Sequence, residues 1–135
     1  MGFAAERLAI EKRLDDNWAT TPIAFENVPY DPVTGTAYVA LAIVDGPAEQ
    51  VSLGDGVAAL HRSVGTIEID IYVPIDSGTN TGRTYADSIA TIFRTWSDTA
   101  SGVHCRSPNI SKKGEDSGWY SFKVTVPFYM DNTFA

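Results

Sequence analysis

The sequence predicts an α+β domain: a mostly antiparallel β-sheet with two α-helices packed on one face, in the order α-β-β-α-β-β. Three stretches carry that prediction. From Gly65 to Pro74, Ile67, Ile69, Ile71 and Val73 alternate strictly with Thr66, Glu68, Asp70 and Tyr72, the period-two pattern of a half-buried strand. Tyr85, Ile89, Ile92, Phe93 and Trp96 stand at i, i+4, i+7, i+8 and i+11, one apolar stripe along a helix. From Trp119 to Tyr129, the residues Tyr120, Phe122, Val124, Val126 and Phe128 alternate with Trp119, Ser121, Lys123 and Thr125. The simplest packing lays the helix stripe over the isoleucine face.

In chain order, Phe3, Ile10, Leu14 and Trp18, with Leu8 nearby, mark one side of a helix at about residues 2–18, and Glu6, Arg7, Glu11, Lys12, Arg13, Asp15 and Asp16 its wet side. Thr21-Pro22 ends it, because the residue before a proline is pushed out of the helical region. Ile23 to Pro32 reads as an extended or looping crossover, and Asp31 to Gly35 as a turn. Thr36 to Asp45 is a strand apolar on both faces, which predicts cover on both sides by helices or by another subunit. Gly46 to Gly56 reads as a flexible connection or hairpin tip. Val57 to Arg62 leads into the central strand, with Gly65 as a bulge or bend. Pro74 cannot donate to a ladder and marks a strand end or edge. After the second helix come a weak strand, Val103–Ser111, a charged turn at 112–118, and the strong strand from Trp119, so the last two strands form a hairpin.

The chain has 135 residues, one domain by length. That length buries roughly two thirds of the unfolded chain's surface. Seventeen acidic against ten basic residues give a net charge of −7. An acidic balance argues against wrapping a phosphate backbone. The single cysteine, Cys105, excludes an intrachain disulfide and fits a reducing compartment. The charged N-terminus lacks the apolar run of a signal peptide. No stretch reaches the length of a membrane span.

The candidates for chemistry are few. Gly78 to Thr84 follows a strand and opens a helix, but has three residues between its glycines and an arginine where a phosphate-binding loop has four and a lysine. It reads as a glycine turn with Asn80 or Thr81 capping the helix. Glu68 and Asp70, two apart on one strand face, are the only paired carboxylates with a case for metal or acid–base work. Neither His61 nor His104 has a metal-like spacing to another ligand, and acids on a wet strand face are ordinarily solvated or paired with lysine or arginine across the sheet. His104 and Cys105 are sequence neighbours and point to opposite faces of a strand, so they form no nucleophile–base pair. Cys105 reads as a small core residue. No cofactor, no metal and no catalytic residue are expected. Lys112 and Lys113 either protect the sheet edge or meet an acidic partner.

Trp18, Trp96, Trp119, Phe128, Tyr129 and Phe134 are more aromatic surface than one small core absorbs, which points to a subunit interface. The expected interface residues are Tyr38, Ala40, Ala42 and Val44 on the doubly apolar strand, Glu68, Asp70 and Tyr72 on the polar face of the central strand, and Lys112 and Lys113. The loops at 46–56 and 76–82 are expected to line or rim a pore.

With those pieces in view, the chain resembles the tail terminator and small minor-tail proteins of long, non-contractile-tailed phages of the lambda type. The resemblance rests on the amphipathic helix ending in Trp18, the run Thr21-Pro22-Ile23-Ala24-Phe25-Glu26-Asn27-Val28-Pro29-Tyr30, the alternating strand from Gly65 to Val73-Pro74, the glycine-rich loop and the helix around Ala86-Asp87. It closes with Gly118-Trp119-Tyr120 leading to Val126-Pro127-Phe128. It covers nearly the whole chain, and its specificity lies in the order of the pieces. It implies a structural protein of the virion tail, assembled in the host cytoplasm as a ring, typically a hexamer, that caps the tail tube and meets head-completion proteins, with no nucleic-acid recognition and no membrane. Two alternatives stand beside it: a neck or tail-completion protein of the same virion, and a small metal-dependent hydrolase using Glu68 and Asp70.

Overall fold

A computed structural model of the chain describes residues 3–33, 35–50, 60–75, 80–98, 102–116 and 118–133. Helix α1 spans Phe3–Asn17, strand β1 Ile23–Ala24, β2 Tyr38–Gln50, β3 Leu60–Pro74, helix α2 Asn80–Phe93, β4 Ser97–Asp98, β5 Val103–Cys105, β6 Asn109–Asp116 and β7 Trp119–Thr133. The strands form one sheet in the order β1-β2-β3-β7-β5-β4, with β6 also paired to β7. Every pairing is antiparallel except β1 with β2. The centre is the β3–β7 pair, in unbroken register from Leu60 opposite Thr133 to Pro74 opposite Trp119. The far side of β7 is shared by β6 along Trp119–Thr125 and β5 along Phe128–Met130.

The period-two pattern decides which residues are buried. Ile67, Ile69, Ile71 and Val73 of β3, Phe122, Val124, Val126 and Phe128 of β7, and Val39 and Leu41 of β2 all fall on one face and are buried. That face receives Ala86, Ile89, Ala90 and Phe93 of α2 and Ile10, Leu14 and Trp18 of α1. The helix stripe therefore lies over the isoleucine face as expected. Burying this much aliphatic and aromatic surface is the main stabilising contribution, at about 25 cal/mol per Å² of apolar area. Trp18 closes the end of α1: its Nε1 donates to Thr21 Oγ1 at 2.9 Å, and its ring meets Tyr85 edge-on at 5.4 Å between centroids.

The fold differs from the sequence reading in several places. The element order holds two further short strands, β1 and β4, each of two residues, too short to leave a periodic signature. The weak strand at 103–111 is two strands separated by Arg106 to Pro108, and residues 112–116 of the expected charged turn belong to β6. Gly65 is not itself the bulge, because β3 runs through it in regular register with β7. The irregularity lies on β2, between Asp45 and Ala48. Gly65 is needed because the Phe128 ring lies over it, where an added Cβ would come within 2.7 Å of the ring. Asn80 to Gly82 are helical rather than loop, so the capping positions before Asn80 fall outside the described residues. On α1, Leu8 is 68% exposed, whereas Glu6 is buried: steps of four from Trp18 through Leu14 and Ile10 place Glu6, not Leu8, on the core side.

Candidate functional site

Among the described residues, the helices cover one face of the sheet and leave the other without a helix. Its residues come from the positions between the core residues, and the register sets them in rows. Tyr38 lies opposite Tyr72, Ala40 opposite Asp70, Ala42 opposite Glu68 and Val44 opposite Thr66. The rows continue onto β7, where Tyr72 faces Ser121, Asp70 faces Lys123, Glu68 faces Thr125 and Thr66 faces Pro127.

One end of this face is aromatic. The ring of Tyr38 stacks on Tyr72 at 4.8 Å between centroids, meets Trp119 edge-on at 5.3 Å and lies 5.0 Å from Tyr30. Burial, then the nearby Tyr30 and Asp70, raise the pKa of the Tyr38 hydroxyl, so it stays neutral.

The middle is a charge ladder. Lys123 Nζ donates to Glu68 Oε1 at 2.6 Å, a bond that raises the lysine's pKa. Lys113 Nζ stands 3.6 Å from Asp70 Oδ1, an attraction across space rather than a hydrogen bond. That Asp70 oxygen is buried and has no hydrogen-bond partner. Both carboxylates are thus engaged by lysines, Glu68 by Lys123 of the adjacent β7 and Asp70 by Lys113 of β6 one strand further on, the cross-sheet pairing such a face favours.

The other end is basic and aromatic. The Tyr129 ring is stacked on His104 at 4.9 Å and approached by the guanidinium groups of Arg62 at 4.4 Å and Arg106 at 4.9 Å. Beside it, Val44, Gly46, Val64, Thr66, Arg106 and Pro127 border a shallow cleft of about 320 Å³. Val44 and Val64 are 50% and 39% exposed. This cluster was missed in the sequence. Only the parity of Arg62 and Tyr129 within their strands would have placed them together, and nothing local marks Arg106.

Of the nine expected interface residues, eight (Tyr38, Ala40, Ala42, Val44, Glu68, Asp70, Tyr72 and Lys113) are gathered on or beside this open face. Lys112 is not. It lies opposite Phe122 in the ladder and borders a cleft on the helix side with Arg83 and Asp87. Of the expected pore loops at 46–56 and 76–82, residues 51–56 and 76–79 lie outside the described residues, while 46–50 belong to strand β2 and 80–82 to helix α2. His104 and Cys105 do project to opposite faces, opposite Tyr129 and Phe128 respectively. His104 Nδ1 is 3.1 Å from Ser97 Oγ. Burial pushes the Cys105 thiol up to about 12, against a smaller lowering by Arg13, so it is not a thiolate nucleophile at neutral pH. Among the described residues no three His, Cys, Asp or Glu side chains converge to hold a metal ion, and no helix is long and apolar enough to cross a membrane. The arrangement suits contact rather than chemistry: an aromatic end, a neutralised ladder and exposed valines.

A family model described as phage tail terminator protein matches residues 7–128. One solved structure is similar over 100% of this chain and 99% of its own length, with a TM-score of 0.74 and 17% sequence identity. At that identity the likeness shows a shared fold. No curated protein matches the chain.

Proposed function

This chain belongs to the phage tail terminator family, a structural family of the virion tail, and from that membership we propose that it closes into a ring, hexameric in the family's manner, on the end of the tail tube. The ring stops further addition of tube subunits and offers its other side to the head-completion proteins. The mechanism is geometric. A closed ring satisfies its own lateral contacts and leaves no growing edge.

The observation that carries this reading is the open face of β2 and β3. In a lone chain Tyr38, Tyr72 and Trp119 remain half-exposed, and Val44 and Val64 more so. Half-exposed apolar side chains at both ends of a neutralised charge ladder are what a permanent protein contact uses. We take this face as one contact surface of the assembly, toward a neighbouring subunit or another tail protein. The hydrolase reading of Glu68 and Asp70 has less support, because each carboxylate is engaged by a lysine.

The test is genetic and structural together. Removing the protein from an otherwise complete set of tail proteins is expected to give tails of uncontrolled length, or tails that fail to join heads, while tube subunits still polymerise. Negative-stain images of the purified protein are expected to show closed rings. Tails of normal length that join heads without it overturn the proposal.

A further inference from the structure

We propose that the exposed stripe of α1 in one copy of the chain docks into the cleft between α2 and β6 of the next copy, so that these two patches form the head-to-tail contact of the assembly. This deepens the ring reading and rests on it.

The cleft exists because β6 extends the sheet past the helices. On β6, Ile110 pairs opposite Val124 and Lys112 opposite Phe122, so both project on the helix side, beyond α2. The result is a cleft of about 430 Å³ lined by Arg83 and Asp87 of α2, Ile110 and Lys112 of β6, and Phe122 of β7. Its floor is apolar, with Ile110 44% exposed. Its rim carries two cations, Arg83 and Lys112, without an ion-pair partner among the described residues.

The matching patch is on α1. Leu8, at 68%, is the most exposed large hydrophobic residue among those described. Glu11 and Asp15 follow it at i+3 and i+7, on one helical stripe, and together with Lys12, Asp16 and Phe25 these residues border a shallow depression. Arg7 already pairs with Glu11 and Lys12 with Asp16. Asp15 has no ion-pair partner among the described residues. The patch thus offers an apolar knob beside Asp15, whose charge is shared only with nearby Lys12 among the described residues, and the cleft an apolar floor beside two cations, Arg83 and Lys112, against one acid, Asp87.

Position makes the fit intermolecular. Phe25 follows β1, at one edge of the sheet, and β6 borders the far side of β7. From β1 through β2, β3 and β7 to β6 is four strand spacings, roughly 19 Å at about 4.8 Å each. One subunit cannot bring its own two patches together. Two different patches on opposite edges give a heterologous contact, the kind that closes rings. Charge complementarity across it fixes register and excludes wrong pairings.

The experiment measures oligomer size by native mass spectrometry for the whole chain and four variants, with circular dichroism confirming the fold of each. Leu8→Asp, Asp15→Lys and Lys112→Glu are each expected to weaken the oligomer at least about tenfold in subunit dissociation constant, and the Asp15→Lys/Lys112→Glu double variant to restore it. In a Cys105→Ser background, Leu8→Cys with Ile110→Cys is expected to give a disulfide-linked ladder of subunits under oxidation, a product that misfolded monomers do not form. A wild-type oligomer that all three single variants leave intact, or no ladder from the cysteine pair, overturns this interface while leaving the ring reading standing. A wild-type chain that is itself monomeric overturns the ring reading, and this proposal with it.

Discussion

The ring of Phe122 lies against Gly82 in the first turn of α2 so closely that a β-carbon there would overlap it. The glycine lets β7 and α2 approach with an aromatic ring between them. Gly65 serves Phe128 in the same way on β3, so two phenylalanines on one face of β7 each use a glycine as their seat.

Gly82→Ala is therefore expected to destabilise the fold. The helix gains at most about 1 kcal/mol in propensity from alanine, and overpacking costs about 1–3 kcal/mol. Trimming the ring should relieve the clash, so Phe122→Leu placed on top of Gly82→Ala should cost less than Phe122→Leu alone. Urea unfolding of the four proteins in that double-mutant cycle checks the coupling.

The wall between legible and illegible in this chain is the range over which a signal acts. Ile67 through Val73 and the stripe from Tyr85 to Trp96 carry periodic patterns that fix which face is buried, and the structure buries the strand residues and the helix positions Ile89 and Phe93 as expected. Asp70 and Tyr72 share a face by parity alone, whereas Tyr38 joins them only through the β2–β3 register. Gly82 and Gly65 could not be read correctly, since each is explained by a phenylalanine 40 or more positions away. Strands as short as β1 and β4 exist through tertiary pairing, and no local pattern announces them; β5 falls within the strand expected at 103–111, and only its separation from β6 is unannounced. The charge of Glu6 marks it as solvated, yet it stands in the spacing of four that also holds Ile10, Leu14 and Trp18, and that spacing decides its burial.

At the end of α2, Thr95 has φ of 56°. A β-branched residue in the left-handed region is strained, and glycine is the usual residue at such a helix end. Thr95 is exposed, and its hydroxyl donates to the neighbouring Arg94 carbonyl at 2.6 Å, its one side-chain bond among the described residues. Thr95→Gly is expected to stabilise the fold by about 1 kcal/mol, a rise in Tm of about 2–8 °C for a chain of this size. Differential scanning calorimetry reads it directly. An unchanged or lower Tm would show that the strain is offset elsewhere.

Glu6 gives the fold a pH dependence of definite sign. It is buried against Asp45 of β2, and its pKa is raised from 4.5 to about 8, first by desolvation, then by its hydrogen bond to Asp45 and that residue's charge. Between pH 4.5 and about 8 the folded protein holds a proton that the unfolded chain has released. Stability from this group is therefore full below pH 4.5, falls as pH rises through that window, and levels off above about 8. Glu6→Gln keeps an N–H donor for Asp45 and cannot titrate. Melting curves from pH 4 to 9 should show the variant matching wild type at the acid end and exceeding it at the alkaline end by on the order of a few kcal/mol. Parallel curves would remove Glu6 as the cause.

Cys105 should be inert. Its thiol is pushed up to about 12 by burial, so alkylation by iodoacetamide at pH 8 is expected to be at least about tenfold slower in the folded chain than in the denatured one. Cys105→Ser should fold and assemble. Rapid labelling of the native protein, or loss of oligomers in the serine variant, would show that the residue does more than pack against the core.

Ile69 and Glu68 are sequence neighbours on β3 with opposite surroundings, and they test the register of the whole sheet. Ile69 is fully buried, facing the helices, between Leu41 of β2 and Val124 of β7 in the ladder. It belongs to a core cluster of buried apolar side chains. Ile69→Asp would bury an unpaired carboxyl at a cost of several kcal/mol, against a total stability of about 5–15 kcal/mol for a domain, and is expected to abolish folding. Glu68 sits on the open face, and its side chain is 28% exposed in a bond to Lys123 that is itself 27% exposed. Removing such a partly exposed pair costs about 1 kcal/mol or less, so Glu68→Ala is expected to fold, with a cooperative melt a few degrees below wild type. Soluble yield, far-UV circular dichroism and thermal melting separate the two outcomes. If Ile69→Asp folds as well as Glu68→Ala, a one-residue slip has exchanged the faces of β3, and every assignment to the open face exchanges with it.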